Sequence, residues 1–307
     1  MSVPAHVLIE PLTHVTLFGL GLWDAATNRL VSEGMAVRVF RLAGTRPVEP
    51  VLARANRRGI FVAHGVPGLR VLEAGTGDDG FWAALPPPRP FLVEVRDLLE
   101  RFTPFVVHVG LPVRRGGQRE GLVVPPCIAE LAPLEPVASP PLVPAYVPLF
   151  PTAARTVHAG MAAVRATLVD AITGTPAEYA VLEVRESGRV IARGIADARG
   201  EVAAVFAYPE PPAAPPSSPP GPAARPQPLA QQTWDLDISI RYRRDLLRYT
   251  PDPVRPPLAD LCDVVQQPPA AATTSSPPTT VAEATLRYGE ELVLGGDAGA
   301  ELLISPA

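Results

Sequence analysis

Lysine is missing altogether: all 27 basic residues of this 307-residue chain are arginine. Beside abundant alanine and proline, that bias reads as codon composition and carries no function. Arginine stems do cover apolar surface on exposed strands, and the planar heads pair well with carboxylates. Cysteine is scarce. Cys127 and Cys262 are far apart and sit beside Pro-rich or irregular stretches, which is no disulfide framework and suits a reducing compartment. Long apolar runs are lacking too, so no segment reads as membrane-spanning even though hydrophobic residues make up 47 % of the chain. The opening residues, MSVPAHVLIEPLTHV, lack the basic start, apolar stretch and cleavage site of a secretory leader, and cytoplasmic synthesis is the expectation. Positive charge is not in surplus. A net charge of −4 removes the electrostatic basis for a nucleic-acid partner.

Proline is what the chain has in excess, with 40 residues. It cannot sit in helix interiors or central strands, so it marks connections. The prolines cluster at 86–90, 125–151, 209–228 and 251–278. Between them the apolar period is mostly two, as in Gly34–Leu42, Phe91–Val95, Phe105–Val109, Ala163–Val169 and Val202–Tyr208. The run Trp234, Leu236, Ile238, Ile240, Tyr242 alternates with Asp235, Asp237, Ser239 and Arg241, which reads as a half-buried strand. The expected organisation is domain one at 1–119, a Pro-rich linker at 120–156, and domain two at 157–248 with a Pro-rich excursion at 209–232. A second linker at 249–280, with a short helix over Leu258–Val265, and C-terminal strands at 281–307 complete it.

An internal repeat links the halves. Asp24-Ala25-Ala26-Thr27-Asn28 matches Asp170-Ala171-Ile172-Thr173-Gly174 at an offset of 146 residues (170 − 24). Asn56-Arg57-Arg58-Gly59 parallels Asp197-Ala198-Arg199-Gly200 at an offset of 141 (200 − 59). In the first motif Asp and Thr side chains bond nearby backbone, and Asn or Gly tolerates positive φ. In the second a glycine takes the left-handed position of a hairpin turn. Two such corners per half imply antiparallel sheets.

Catalysis has no foothold. His6, His14, His64, His108 and His158 show no metal-ligand spacing, and structural histidines are the stronger reading. Asp78 and Asp79, near Glu73, do not follow a calcium-loop spacing and read as a solvated turn. Asp235 and Asp237 share one strand face and read as solvent-exposed, with arginine partners such as Arg241 or Arg243. Gly19-Leu20-Gly21 lacks the third glycine of a dinucleotide loop. Phe81, Trp82, Phe102 and Phe105 read mostly as core, the alternative being that some are exposed as an anchor for a partner. No cofactor and no metal is expected.

The segment 164–209 resembles the carboxypeptidase regulatory-like, transthyretin-like sandwich: a strand, Asp-x-x-Thr-Gly-x-Pro, an aliphatic strand, then Asp-x-x-Gly and a closing strand. Asp170, Thr173, Gly174, Pro176, Asp197 and Gly200 hold those places, and Asn56, Gly59, Phe61, Pro67 and Gly68 echo its end in the first half. The first half departs from the pattern in having no glycine after Thr27. The resemblance implies an all-β chain of two related antiparallel β-sandwich (transthyretin/prealbumin-like) domains joined by a Pro-rich linker. The module of that family is not itself the peptidase. The stretch Phe61–Phe105, with His64-Gly65-Val66-Pro67-Gly68-Leu69, Phe81-Trp82 and Pro90-Phe91-Leu92-Val93-Glu94-Val95, together with the second module, resembles the regulatory-like-domain proteins encoded with extracellular contractile injection systems. That likeness implies a non-enzymatic structural subunit of a phage-tail-like particle, at a cap, adaptor or baseplate-peripheral position. Its implied partners are cap, sheath, tube or baseplate proteins, and its implied place is a particle assembled in the cytoplasm and released from the cell. A carbohydrate- or cell-surface-binding module is the alternative, for which aromatics exposed on one face would be the sign.

Overall fold

Alternating apolar residues set the strands of both halves. The computed structural model describes residues 14–44, 46–112, 127, 146–210, 228–250, 256–274, 279–295 and 301–306. His6, most of the 120–156 stretch and residues 211–227 of the Pro-rich excursion lie outside the described residues.

The first module contains β1 (Gly19–Asp24), β2 (Arg29–Leu30), β3 (Met35–Ala43), β4 (Arg46–Ala55) and β5 (Ile60–Val62). Two short helices, α1 (Arg70–Glu73) and α2 (Asp79–Ala84), precede β6 (Arg89–Asp97), β7 (Phe105–Leu111) and β8 (Tyr146–Leu149). The second module runs through β9 (Met161–Asp170), β10 (Val181–Glu186), β11 (Arg189–Ile195), β12 (Glu201–Ala207) and β13 (Thr233–Arg241). After α3 (Leu261–Val265) it is completed by β14 (Pro269–Thr274), β15 (Glu283–Arg287), β16 (Leu292–Val293) and β17 (Glu301–Pro306).

Each module forms one curled sheet, and the two share a topology. In the first, β4, β3, β6 and β7 are neighbours in that order, and β5 flanks β1, whose other edge carries β8. In the second, β11, β10, β13 and β14 are neighbours in the same order, and β17, β9 and β12 follow. Taking seven principal strands per module, both run third-second-fifth-sixth and seventh-first-fourth. The junction of sixth and seventh is a ladder between β14 and β17 in the second module. In the first it is a bridge from Phe102 to Pro151, with Thr103 N donating to Phe150 O at 2.8 Å.

The sheets are mixed rather than purely antiparallel. β8 lies parallel to β1 with Leu22 opposite Val147, and β17 lies parallel to β9 with Leu168 opposite Leu302. Parallel neighbours need a long connection, and more than a hundred residues separate β1 from β8. The β8 residues thus belong to the first sheet although they fall within the stretch expected to be linker: Val147 and Leu149 are buried, and Pro148 pairs at an outer strand where its missing donor is tolerated. The C-terminal strands complete the second sheet.

Inward residues follow the period of two. Leu20, Leu22, Val37, Val39, Phe91, Val93, Phe105 and Val107 fill the first core. Val164, Leu168, Leu182, Val184, Val202, Phe206, Trp234, Leu236, Ile238 and Ile240 fill the second. Each large side chain so placed contributes roughly 1.5–3 kcal/mol relative to exposure. The five alternating apolar residues from Trp234 to Tyr242 are all buried, while Asp235 and Asp237 are exposed.

In the connection from β13 to β14, residues 242–250 and 256–268 act as a clasp between the modules. Leu258 packs with Leu92 and Val106 on the outer face of the first sheet, where Phe40 and Leu42 add partly buried surface. Ala259 O accepts from Val106 N, and Asp260 bridges Val106 in parallel. Leu261, Val264 and Val265 join the same core cluster as the first sheet's inward residues, which also takes in Tyr179, Val181, Ile195 and Leu247 from the second module. Gln267, fully buried, donates to Tyr179 O at 2.8 Å and accepts from Arg243 N at 2.6 Å. The helix spans Leu261–Val265, shorter than expected, because Asp260 caps it: its carboxylate accepts from Cys262 N at 2.8 Å while its backbone stays extended.

Candidate functional site

The repeated turns have matching geometry. Asp24 accepts from Ala26 N at 3.2 Å and from the Thr27 hydroxyl at 2.7 Å, and Asn28 takes φ 53°. Asp170 accepts from Ile172 N at 2.8 Å and Thr173 N at 3.2 Å, Gly174 takes φ 68°, and Pro176 bridges back to Val169. In the second pair, Asn56 Oδ1 accepts from Arg58 N and Ile60 N at 2.9 and 3.1 Å. Asp197 Oδ1 accepts from Arg199 N and Glu201 N at 2.8 and 3.0 Å, and Gly59 and Gly200 share φ 77°. Pro67 and Gly68 stand in the turn closed by Leu69 N donating to Val66 O, with Gly68 at φ 87°.

Each Asp turn is then tied to its own module differently. Asp24 is buried in an ion pair with Arg155, at 3.0 and 2.5 Å to its two oxygens, and the same guanidinium lies 4.7 Å over the Phe102 ring. Asp170 instead receives the Tyr242 hydroxyl at 3.2 Å. Burial first, then the Asp170 charge and its hydrogen bond, push the Tyr242 phenol up to about 12.

Four further polar clusters escaped the sequence reading. Glu183, 3 % exposed, is held by Arg193 at 2.8 Å, Arg185 at 3.1 Å and Arg241 at 3.5 Å. Burial pushes its carboxyl up, but these arginines outweigh it and hold the group below the usual range. Glu94 makes a smaller version with Arg96 at 3.0 Å and Arg38 at 3.9 Å. The signal for both is Glu-Val-Arg within an aliphatic strand, which puts Glu and Arg on one face two residues apart. Third, His108 Nδ1 lies 2.5 Å from Asp260, whose oxygen also accepts from His108 N at 3.1 Å. Burial raises the Asp260 carboxyl, while the His108 bond and charge and the Cys262 and His108 amides more than reverse that and hold it low. Fourth, Cys127 and Cys262, read from sequence as no disulfide framework, are joined by a disulfide with Cα atoms 5.3 Å apart. Their sequence separation of 135 residues gave no pattern to read.

The other candidates are dispersed. Glu73 accepts from Gly65 N with both oxygens, at 2.8 and 2.9 Å, while Asp78 caps α2 through Phe81 N at 2.8 Å, so the three carboxylates do not converge. Asp235 accepts from the Thr285 hydroxyl at 3.0 Å. Arg241 turns to Glu183 and Arg243 to Asp245, not to the strand aspartates. Trp82, Phe102 and Phe105 are core, and Phe81 is partly buried edge-on to Trp82. Among the described residues no group of three or more His, Cys, Asp or Glu is placed to hold a metal ion. Among them no helix is long and apolar enough to cross a membrane.

What this arrangement offers chemically is rigidity and pairing. Its buried carboxylates each face a guanidinium, a hydroxyl, an imidazole or, at Glu73, a backbone amide. No protein-family model, curated protein or solved structure gives a significant match to the chain.

Proposed function

We propose that this chain is a non-enzymatic structural subunit of a contractile, phage-tail-like particle, in which two transthyretin-like sandwiches act as one rigid docking body. The observation that carries the reading is the doubled architecture: the same strand order, the same two turns, and a parallel closing strand in each module. On this reading each curled sheet folds over into two layers, third-second-fifth-sixth packed against seventh-first-fourth, which the shared strand order supports. The sequence resemblance over Phe61–Phe105 and the second module supplies the particle context. A clasp that fuses the modules suits a part held at a fixed angle in a symmetric assembly, where a flexible tandem would blur the address. The chain sits at a cap, adaptor or baseplate-peripheral position, and cap, sheath, tube or baseplate proteins are its partners, reached through sheet edges and the Pro-rich segments.

The test is purification of the tagged chain from the cells that make it, followed by mass spectrometry of what comes with it. Sheath, tube or baseplate proteins in fixed ratio support the reading. A chain recovered alone, retained instead on an immobilised glycan, overturns it in favour of a carbohydrate-binding module.

A further inference from the structure

The modules are joined twice. The polypeptide connects them once, between β8 and β9. The disulfide connects them again, from Cys127, which follows β7, to α3 in the clasp. These are the only cysteines in the chain, so neither has a competing partner within it. Their Cα separation of 5.3 Å lies in the range that a disulfide spans without backbone movement. Both are enclosed, Cys127 at 0 % and Cys262 at 8 % exposure. Asp260 fixes the geometry around them: one oxygen caps α3 at Cys262 N, and the other is held by His108 on β7 of the opposite module.

We propose that the Cys127–Cys262 bond is a redox lock on the module-to-module geometry, closed in oxidising surroundings and opened by dithiol reductants. In closure each thiol gives up its proton and the pair gives up two electrons. A low-molecular-weight disulfide such as glutathione disulfide accepts them, so one S–S bond breaks as one forms and two thiols leave. Opening is the reverse exchange. Because both sulfurs are enclosed, a reductant reaches them when α3 lifts from the first module, so reduction and clasp opening are one event. The working form of the chain then belongs outside a reducing cytoplasm, contrary to what two distant cysteines suggest by spacing. This inference stands independently of the particle reading.

The experiment uses the full chain, first incubated with glutathione disulfide or with dithiothreitol. Thiols are counted in denaturant, and amide hydrogen exchange is followed in α3 and residues 256–260. The lock predicts no free thiol after oxidation. It also predicts exchange in the clasp and in β7 that rises about tenfold on reduction, while β9 and β12 keep their protection. Cys262→Ser should match the reduced protein, and if that variant fails to fold, reduction of the native chain gives the same comparison. Thiols that stay free with glutathione disulfide overturn the proposal, and so does clasp exchange that is equal in both states.

Discussion

Gly59 and Gly200 occupy the same place in the two repeats with the same φ of 77°, yet a methyl group would meet different surroundings. At Gly59 the nearest atom to an added Cβ is Leu30 Cβ at 3.8 Å, which is ordinary contact. At Gly200 the added carbon would collide with the Leu168 carbonyl oxygen and lie 3.4 Å from Ala177 N, the amide that donates to that same oxygen. Gly59→Ala therefore carries only the left-handed backbone penalty, about 1 kcal/mol. Gly200→Ala adds overpacking of about 1–3 kcal/mol and a strained or lost hydrogen bond of about 1 kcal/mol, for a total of about 3–5 kcal/mol. Asparagine, which tolerates this φ, should rescue position 59 and fail at 200, because the clash belongs to Cβ and not to φ. Urea unfolding with a common m-value reads both. Equal losses at the two sites would refute the reasoning, and so would rescue of Gly200 by asparagine.

Four other outcomes follow from the same contacts. Asp24→Ala leaves the Arg155 guanidinium buried without its carboxylate and should cost about 3–5 kcal/mol in thermal unfolding; a loss under about 1 kcal/mol would mean that Arg155 swings to solvent. Leu258→Ala, at a site 4 % exposed between the modules, should cost about 2–5 kcal/mol, and limited proteolysis should then cut near the clasp. The carboxyls of Asp260 and Glu183 are both held low in the folded chain, so the unfolded chain binds protons first as pH falls. Their contribution is complete above the unfolded carboxylate range and is lost as pH drops below about 4. The urea midpoint should fall steeply there, and Asp260→Asn should flatten that slope. Removing the disulfide, which closes a loop of 135 residues, should lower unfolding free energy by about 5 kcal/mol in the chain-entropy account, measured by chemical unfolding of the native chain with and without reductant, with Cys127→Ser matching the reduced form.

Local chemistry was readable wherever neighbours in sequence do the work. The Asp turns at 24 and 170 and the Asx-Gly hairpins at 56 and 197 use bonds across two to four residues, so their residue types announce them. Strand 233–241 was readable because one face is buried throughout. Long-range closure was not. β8 reads as linker since its four residues, Tyr-Val-Pro-Leu, sit among prolines; only the partner β1 makes them a strand. The clasp is hidden for a related reason: Leu258, Asp260 and Cys262 gain meaning from Leu92, Val106, His108 and Cys127, all more than a hundred residues away. The outward leucine at 92 is the one local signal, since an apolar residue beside Glu94 and Arg96 on a polar face asks for a cover.

The most direct test of the account is electron microscopy of particles released by the producing cells, with the chain carrying a gold-binding tag at its C-terminus. A structural subunit places the label at one fixed axial position, on most particles and in a constant number. Particles without label, with the chain found only as free protein, would contradict the account.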